Sequence, residues 1–268
     1  MEGHHALLAA AAAGLLTAVA IALPTWLASL VLRDASVADR VWPAFVAAPA
    51  LVYAWRLGAD ARALVMLFIA LAWALRLGVF ITWRNWGHGE DRRYRDMRER
   101  HGPGFALKSL YLVFLLQALL GWVVGWPLLE AMGRAGAAWG PWDWAGAALA
   151  LGGLLMETVA DAQLARFRRE PANRGQVMDR GLWRCSRHPN YFGEACVWWG
   201  LGLMALGAGG AAGAWCLVSP LMMTVLLLRV SGVTLLEKDI GERRPAYRDY
   251  VARTSAFFPW PPRRGGAR

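Results

Sequence analysis

Apolar residues in this chain gather into long runs, with neither the alternation of half-buried strands nor the single stripe of surface helices. A helix needs about 20 apolar residues to cross the hydrocarbon of a bilayer. Seven segments reach or approach that length: 6–32, 41–55, 63–83, 110–132, 144–163, 191–208 and 212–230. The second is short and holds Pro43 and Pro49, which predicts a kink or tilt with freed carbonyls satisfied by neighbours. The first is long and lacks a basic start, so it reads as a retained span, not a cleaved signal. No internal repeat or low-complexity linker divides the chain. The pattern predicts an all-α integral membrane protein of seven transmembrane helices, one domain over 1–268.

Composition agrees. Hydrophobic residues make up 57% of the chain and mean hydropathy is +0.32, too apolar for an ordinary soluble domain. Of 16 Trp, many flank apolar runs, including Trp26, Trp42, Trp83, Trp122, Trp126, Trp142 and Trp144, as expected of rings at headgroup level. A net charge of +10 in a soluble protein would first raise nucleic acid. Here topology explains it more simply, and no nucleic-acid partner is expected. The loops 84–108 and 165–190 each hold seven Lys or Arg, and the tail from Gly232 is basic too. Seven crossings place all three on one side, together with the loop 33–40. The loops 133–143 and 209–211 are short and carry little charge. Arg56 and Arg62, in the loop 56–62, fall on the wrong side. The reading is an N-terminus outside, a C-terminus in the cytosol and a cytosolic cap of loops and tail.

Cys185, Cys196 and Cys216 are odd in number, fit no zinc spacing and read as unpaired thiols. The five His are scattered, with no H-E-x-x-H, and no metal site is expected. There is no Walker loop and no G-x-S-x-G. Charge inside the spans is more telling, because it is costly there. Arg76, Glu157, Asp161 and Glu194 qualify. Glu157 and Asp161 stand four apart and share a helix face, which marks either a polar site at the cytosolic end of the fifth span or an ion pair between helices. Arg76 either serves a site or snorkels to the interface. Gly200, Gly202 and Gly207 follow no strand and do not spell a dinucleotide fingerprint, so they read as close helix packing.

The most informative stretch is 181–194, G-L-W-R-C-S-R-H-P-N-Y-F-G-E. Pro189 fixes a turn ahead of a helix and favours an extended His188. Asn190 and Tyr191 then fall at the helix start, where free N–H groups and the dipole favour an anion. Arg166, Arg168, Arg174, Arg180, Arg184 and Arg187 surround this start in sequence. The residues fit an anionic ligand with several phosphates. They equally fit a capped helix behind a positive-inside loop.

R-H-P-N-Y-F-G-E resembles the signature of the steroid 5α-reductase superfamily. The segment W-R-N-W-G-H-G-E-D-R-R-Y-R-D-M-R-E-R from Trp83, then V-F-L-L-Q-A-L-L, resembles its bacterial branch, the DUF1295 family; so do L-L-E-K-D-I, Y-R-D-Y and F-F-P-W. The resemblance runs from about Asp39 to the C-terminus. It implies a seven-helix membrane reductase that uses NADPH to reduce a carbon–carbon double bond conjugated to a carbonyl in a steroid-like lipid. It divides the chain into a substrate half, about 1–135, and an NADPH-binding half, about 140–268. By position, Asp161, Arg168, Trp183, Asn190, Tyr191 and Glu194 would line the cofactor site, with Arg187 and His188 beside it and Glu237 and Tyr250 completing it. The substrate half departs from the animal enzymes. Their Gln-Glu pair is missing from the second span, and Trp73 stands where they place a Tyr, with Arg76 three residues on. Asp39 is the nearest ionisable group, either orienting substrate or supplying acid, or else a plain helix N-terminal carboxylate. Trp73 and Arg76 complete the candidate catalytic set.

The resemblance implies a bacterial inner-membrane enzyme facing the cytosol, with membrane lipids around it and a lipophilic substrate arriving from the bilayer. Isoprenylcysteine carboxyl methyltransferases share an R-H-P-x-Y-x-G segment. An S-adenosylmethionine-dependent methyltransferase is therefore the alternative, although its phosphate-free cofactor needs fewer Arg. A transporter would more often show repeated halves and broken midplane helices. Oligomeric state and substrate identity are not written in the sequence.

Overall fold

The computed structural model describes residues 2–134, 136, 138–230, 232–237 and 245–263. Lys238, Asp239 and Ile240 of the L-L-E-K-D-I motif lie outside them. The described chain is helical, with one isolated bridge between Ser186 and Ser255. In order, the helices are α1 (Glu2–Leu32), α2 (Val37–Val41), α3 (Ala44–Leu57), α4 (Ala61–Asn85), α5 (Arg92–His101), α6 (Phe105–Ser109), α7 (Leu116–Val124), α8 (Trp126–Met132), α9 (Pro141–Arg169), α10 (Pro189–Gly209), α11 (Val218–Val225), α12 (Val233–Glu237) and α13 (Ala246–Arg253). Two wider π-helical turns, Leu110–Leu115 and Leu226–Val230, interrupt the regular ladder.

Five helical runs are long and apolar enough to cross a membrane: Glu2–Leu32, Ala61–Asn85, Arg92–Val124, Pro141–Arg169 and Pro189–Val230. Leu16, Phe68, Leu155 and Leu221 stand exposed on them, which suits a hydrocarbon solvent. The chain differs from the simple run count in three places. At the second apolar segment, Pro43 has no N–H to continue the ladder, so α2 and α3 are separate; α3, at 14 residues, is about 21 Å long, short of the hydrocarbon width. The fourth segment stops at Gly125, where α8 begins with Pro127 in its first turn, and it extends backwards through the polar α5. The 42-residue run Pro189–Val230 is a hairpin. Gly210 takes φ +56 and opens a 3₁₀ stretch, Gly210–Leu217. Trp199 Nε1 donates to Thr224 Oγ1 at 3.1 Å across 25 residues, a separation that would be about 38 Å in a straight helix.

The chain forms two compact units, Met1–Trp144 with Leu203–Ser219 and Ala145–Gly202 with Pro220–Arg268. In the first, a buried cluster of small and aromatic side chains joins α1 to the later helices: Ala18, Ala22, Phe45, Phe105, Phe114 and Ala118. Arg62, one of the two Arg counted against the expected orientation, is 1% exposed here and holds Asp143 at 2.6 and 3.1 Å. Its charge is neutralised locally in the folded chain.

In the second unit, α9 and α10 run antiparallel with backbones in near contact. A methyl group at Gly153 would lie 2.5 Å from the Gly193 carbonyl, and one at Gly200 would lie 2.4 Å from the Gly146 carbonyl. Gly200 therefore does serve close packing. That approach sets the end of α9 against the start of α10, where the polar residues lie.

Candidate functional site

The segment before α10 is pinned at several points within the second unit. Gly181 at φ +58 turns the chain, and Leu182 N donates to Gln163 Oε1 at 3.0 Å. Trp183 buries its ring and donates from Nε1 to the Ala160 carbonyl at 3.0 Å. The buried Tyr250 hydroxyl donates to the Trp183 carbonyl and lies 3.2 Å from the Ser186 carbonyl. Ser186 Oγ donates to the Phe257 carbonyl at 2.8 Å and accepts from His188 N at 3.1 Å. The F-F-P-W motif thus clamps the segment that carries R-H-P-N.

Arg187 and Glu237 form the centre of the clamp. Arg187 Nε and Nη2 reach the two oxygens of Glu237 at 2.7 and 2.8 Å, a bidentate pair. Arg187 Nη1 donates to the Thr254 carbonyl at 2.6 Å. His188 Nε2 lies 2.9 Å from Glu237 Oε1, and the Tyr247 hydroxyl donates to the same oxygen at 3.2 Å. Burial works to raise the Glu237 pKa, but hydrogen bonds from His188 and Arg187 outweigh it and hold the carboxyl down at about 2. Burial also pushes the Tyr247 hydroxyl well up, and the neighbouring Glu237 adds to this. These groups satisfy one another.

Asn190 is different. Its Nδ2 donates to Asp161 Oδ1 at 3.1 Å, which joins α9 to α10, while its Oδ1 is buried without a partner. Tyr191 stacks on His188 with ring centroids 5.4 Å apart and planes within 5°. Glu157, Asp161 and Glu194 are all buried in this unit. Arg166, Arg168, Arg174, Arg180 and Arg184 are exposed. An open buried acceptor at a helix start, with exposed guanidinium groups close to it in sequence, suits a polyanion that also carries an N–H donor. A nicotinamide dinucleotide has that chemistry: Asn190 Oδ1 would take the amide, and the arginines, Arg168 among them, the phosphates. All ten cofactor residues expected belong to this unit. Glu194 is buried one turn further along α10, Tyr191 stacks on His188, and Asp161 holds Asn190, which carries the open acceptor. Trp183, Arg187, His188, Glu237 and Tyr250 support the backbone that carries it. Arg168, the tenth, is on the exposed last turn of α9.

A second polar cluster belongs to the first unit. Asp39 on α2 accepts from Arg93 Nη2 and from the Tyr94 hydroxyl, each at 2.6 Å. Gln117 Nε2 reaches the Tyr94 hydroxyl at 3.2 Å, and Gln117 Oε1 is buried without a partner. Alongside, Glu90 accepts from Arg98 at 2.7 and 3.0 Å and from Ala35 N at 2.8 Å. Burial would raise the Glu90 pKa; these donors outweigh it and lower it below the usual carboxylate range. Asp39 is thus more than a helix-terminal carboxylate. Trp73 and Arg76 are on another helix, α4, where Trp73 is fully buried and Arg76 half-buried.

Tyr94, Arg93 and Gln117 were legible only as motif letters, since no spacing rule ties position 39 to 94 or 117. Glu130 had a plain signal, an acid inside the apolar segment 110–132, and the sequence reading passed over it. It is 1% exposed, accepts from Trp215 Nε1 at 3.1 Å and pairs with Arg134 at 3.0 Å.

Comparison with known proteins gives the family and little more. The family model described as "Protein of unknown function (DUF1295)" matches residues 25–254. An uncharacterized protein of Schizosaccharomyces pombe is 27% identical over 274 residues, covering 92% of this chain and 78% of its own length. No solved structure matches the chain. With most of its length matched, the chain belongs to the DUF1295 family.

Proposed function

We propose that this member of the DUF1295 family is a membrane reductase that uses NADPH to saturate a carbon–carbon double bond conjugated to a carbonyl in a lipophilic, steroid-like substrate. One observation carries the reading: the buried, open Asn190 Oδ1, oriented by Asp161 and flanked in sequence by exposed arginines. The resemblance of R-H-P-N-Y-F-G-E to the steroid 5α-reductase signature supplies the reaction class. When bound, NADPH supplies a hydride. The chain holds its amide at Asn190, keeps Asn190 fixed through Asp161, and neutralises phosphate with Arg168 and the neighbouring arginines. Negative charge developing on the carbonyl oxygen calls for a hydrogen-bond donor there.

The same proposal covers topology. With the α2–α3 segment counted as one kinked crossing and Pro189–Val230 as two, the chain crosses seven times. The arginine-rich loops and the C-terminus then face the cytosol and the N-terminus lies outside, in a bacterial inner membrane.

Titrating the purified full chain in detergent with NADPH and with S-adenosylmethionine tests the reading. We expect NADPH to bind and S-adenosylmethionine not to. Removing a hydrogen bond to a charged or buried polar partner costs about 1.5–3 kcal/mol, so Asn190→Ala and Arg168→Ala should each weaken NADPH about tenfold or more. Binding of S-adenosylmethionine alone would support the methyltransferase reading; unchanged NADPH affinity in both variants would refute the site.

A further inference from the structure

A groove of about 1100 Å³ follows α4 in the first unit, between that helix and the α2–α3 segment. On α4 it uses Leu71, Ala74, Leu75, Gly78, Val79, Thr82 and Trp83, positions that keep to one helix face, and Trp86 just beyond the helix end. The helical stretch 71–85 rises about 21 Å, more than one leaflet's half of a hydrocarbon core about 30 Å thick. Small residues, Ala44, Ala47, Ala74 and Gly78, make room along its length. Leu75 and Val79 are 69% and 59% exposed, so the groove is open along its side. Trp83 and Trp86 stand exposed near the polar end of α4. Among the described lining residues, Arg40 alone carries charge. Its Nη2 reaches Asp34 Oδ2 at a long 3.4 Å, and its Nε is buried without a partner.

These features select an occupant. A pocket for an enclosed small molecule usually holds about 300–1,000 Å³ and covers most of its ligand. This groove is larger and leaves one side to the bilayer, as a lipid requires. A buried guanidinium N–H without an acceptor is unfavourable until an oxygen reaches it, and an anionic oxygen is the strongest partner for it. The Arg40 carbonyl lies beside Gly78, so the exposed Trp83 and Trp86 stand within about 12 Å of it along the helix, the depth of a headgroup region. We propose that the groove is a specific site for an anionic phospholipid, with its acyl chains along α4 and its phosphate on Arg40. A neutral or zwitterionic lipid gains less from Arg40, and a single-chain carboxylate leaves much of the groove unfilled.

Native mass spectrometry of the full chain in detergent, titrated with dioleoyl phosphatidylglycerol, dioleoyl phosphatidylcholine or oleate, tests this without any nucleotide. We expect phosphatidylglycerol to be retained about tenfold better than the other two, the scale of one charge-assisted hydrogen bond. Arg40→Gln should remove that preference. Gly78→Leu should fill the groove and lower phosphatidylglycerol retention by a similar factor. A Cβ at Gly78 meets its nearest neighbours at 3.8 and 3.9 Å, ordinary contact, so the first carbon of the new side chain fits. Equal retention of both phospholipids by the unaltered chain overturns the proposal. So does a preference that survives Arg40→Gln, or stronger retention of oleate. Should Arg40→Gln not be recovered folded, full phosphatidylglycerol retention in Gly78→Leu overturns it alone.

Discussion

Glu237 and Asp39 are each held by an arginine and a tyrosine hydroxyl, yet their surroundings differ in one respect. Around Glu237, Arg187 uses Nε and Nη2 on the carboxylate and Nη1 on the Thr254 carbonyl, and His188 and Tyr247 complete the shell. Around Asp39, Gln117 Oε1 is left buried and without a partner. Asn190 Oδ1, near the Glu237 clamp in sequence, is open in the same way. Saturated polar groups hold a fold together, whereas an open buried acceptor is unfavourable unless something arrives to fill it. The difference separates two kinds of motif residue that sequence alone presents as one list.

The comparison can be broken by substitution, and the largest effect should come from the saturated cluster. Arg187→Ala leaves Glu237 half-buried with only His188 and Tyr247, and removing one partner of a buried pair typically costs about 3–5 kcal/mol. We expect a marked fall in melting temperature in detergent and faster proteolysis near α13, with little left to bind nucleotide. A smaller loss should follow from acid. The folded Glu237 pKa is about 2, below its ordinary 4.5, so its stabilisation is complete above pH 4.5 and fades as pH falls toward 2. Melting curves across that window should slope less in Glu237→Gln than in the unaltered chain. The open sites should respond in the opposite sense, with binding affected more than stability. Asp161→Ala frees the Asn190 side chain, and NADPH affinity should drop about fivefold to tenfold, near 1 kcal/mol, by fluorescence titration. The smallest expected effect on stability is Gln117→Leu. It removes an unpaired acceptor and two contacts of the amide nitrogen, 3.2 Å to the Tyr94 hydroxyl and 3.5 Å to Asp39 Oδ1, so stability by thermal melting should change by less than about 1 kcal/mol. Equal thermal losses in Arg187→Ala and Gln117→Leu would erase the distinction.

Much of the helical framework was legible, because apolar runs report solvent as much as structure. The runs that became Glu2–Leu32, Ala61–Asn85 and Pro141–Arg169 needed only length and hydropathy. Boundaries failed where backbone chemistry intervened: Pro43 divides α2 from α3, and Gly125 with Pro127 stops the fourth run early. Within the candidate site, Asp161 and Asn190 were named in advance and do meet. What each named residue does was hidden, because saturation is a property of distances. Tyr94, Gln117 and the Arg62–Asp143 pair share that problem, with partners 55, 78 and 81 residues apart. Glu130 is a different case, since an acid inside an apolar run is visible without coordinates.

The Arg62–Asp143 bridge also sets a schedule. Arg62 lies at the start of α4, and its counter-charge is encoded 81 residues later. At about 5–20 residues per second, the ribosome supplies Asp143 roughly 4 to 16 s after Arg62. During that interval a nascent α4 carries an arginine whose native carboxylate does not yet exist. The insertion machinery, or the lipid phosphates around it, has to shelter one guanidinium until translation catches up.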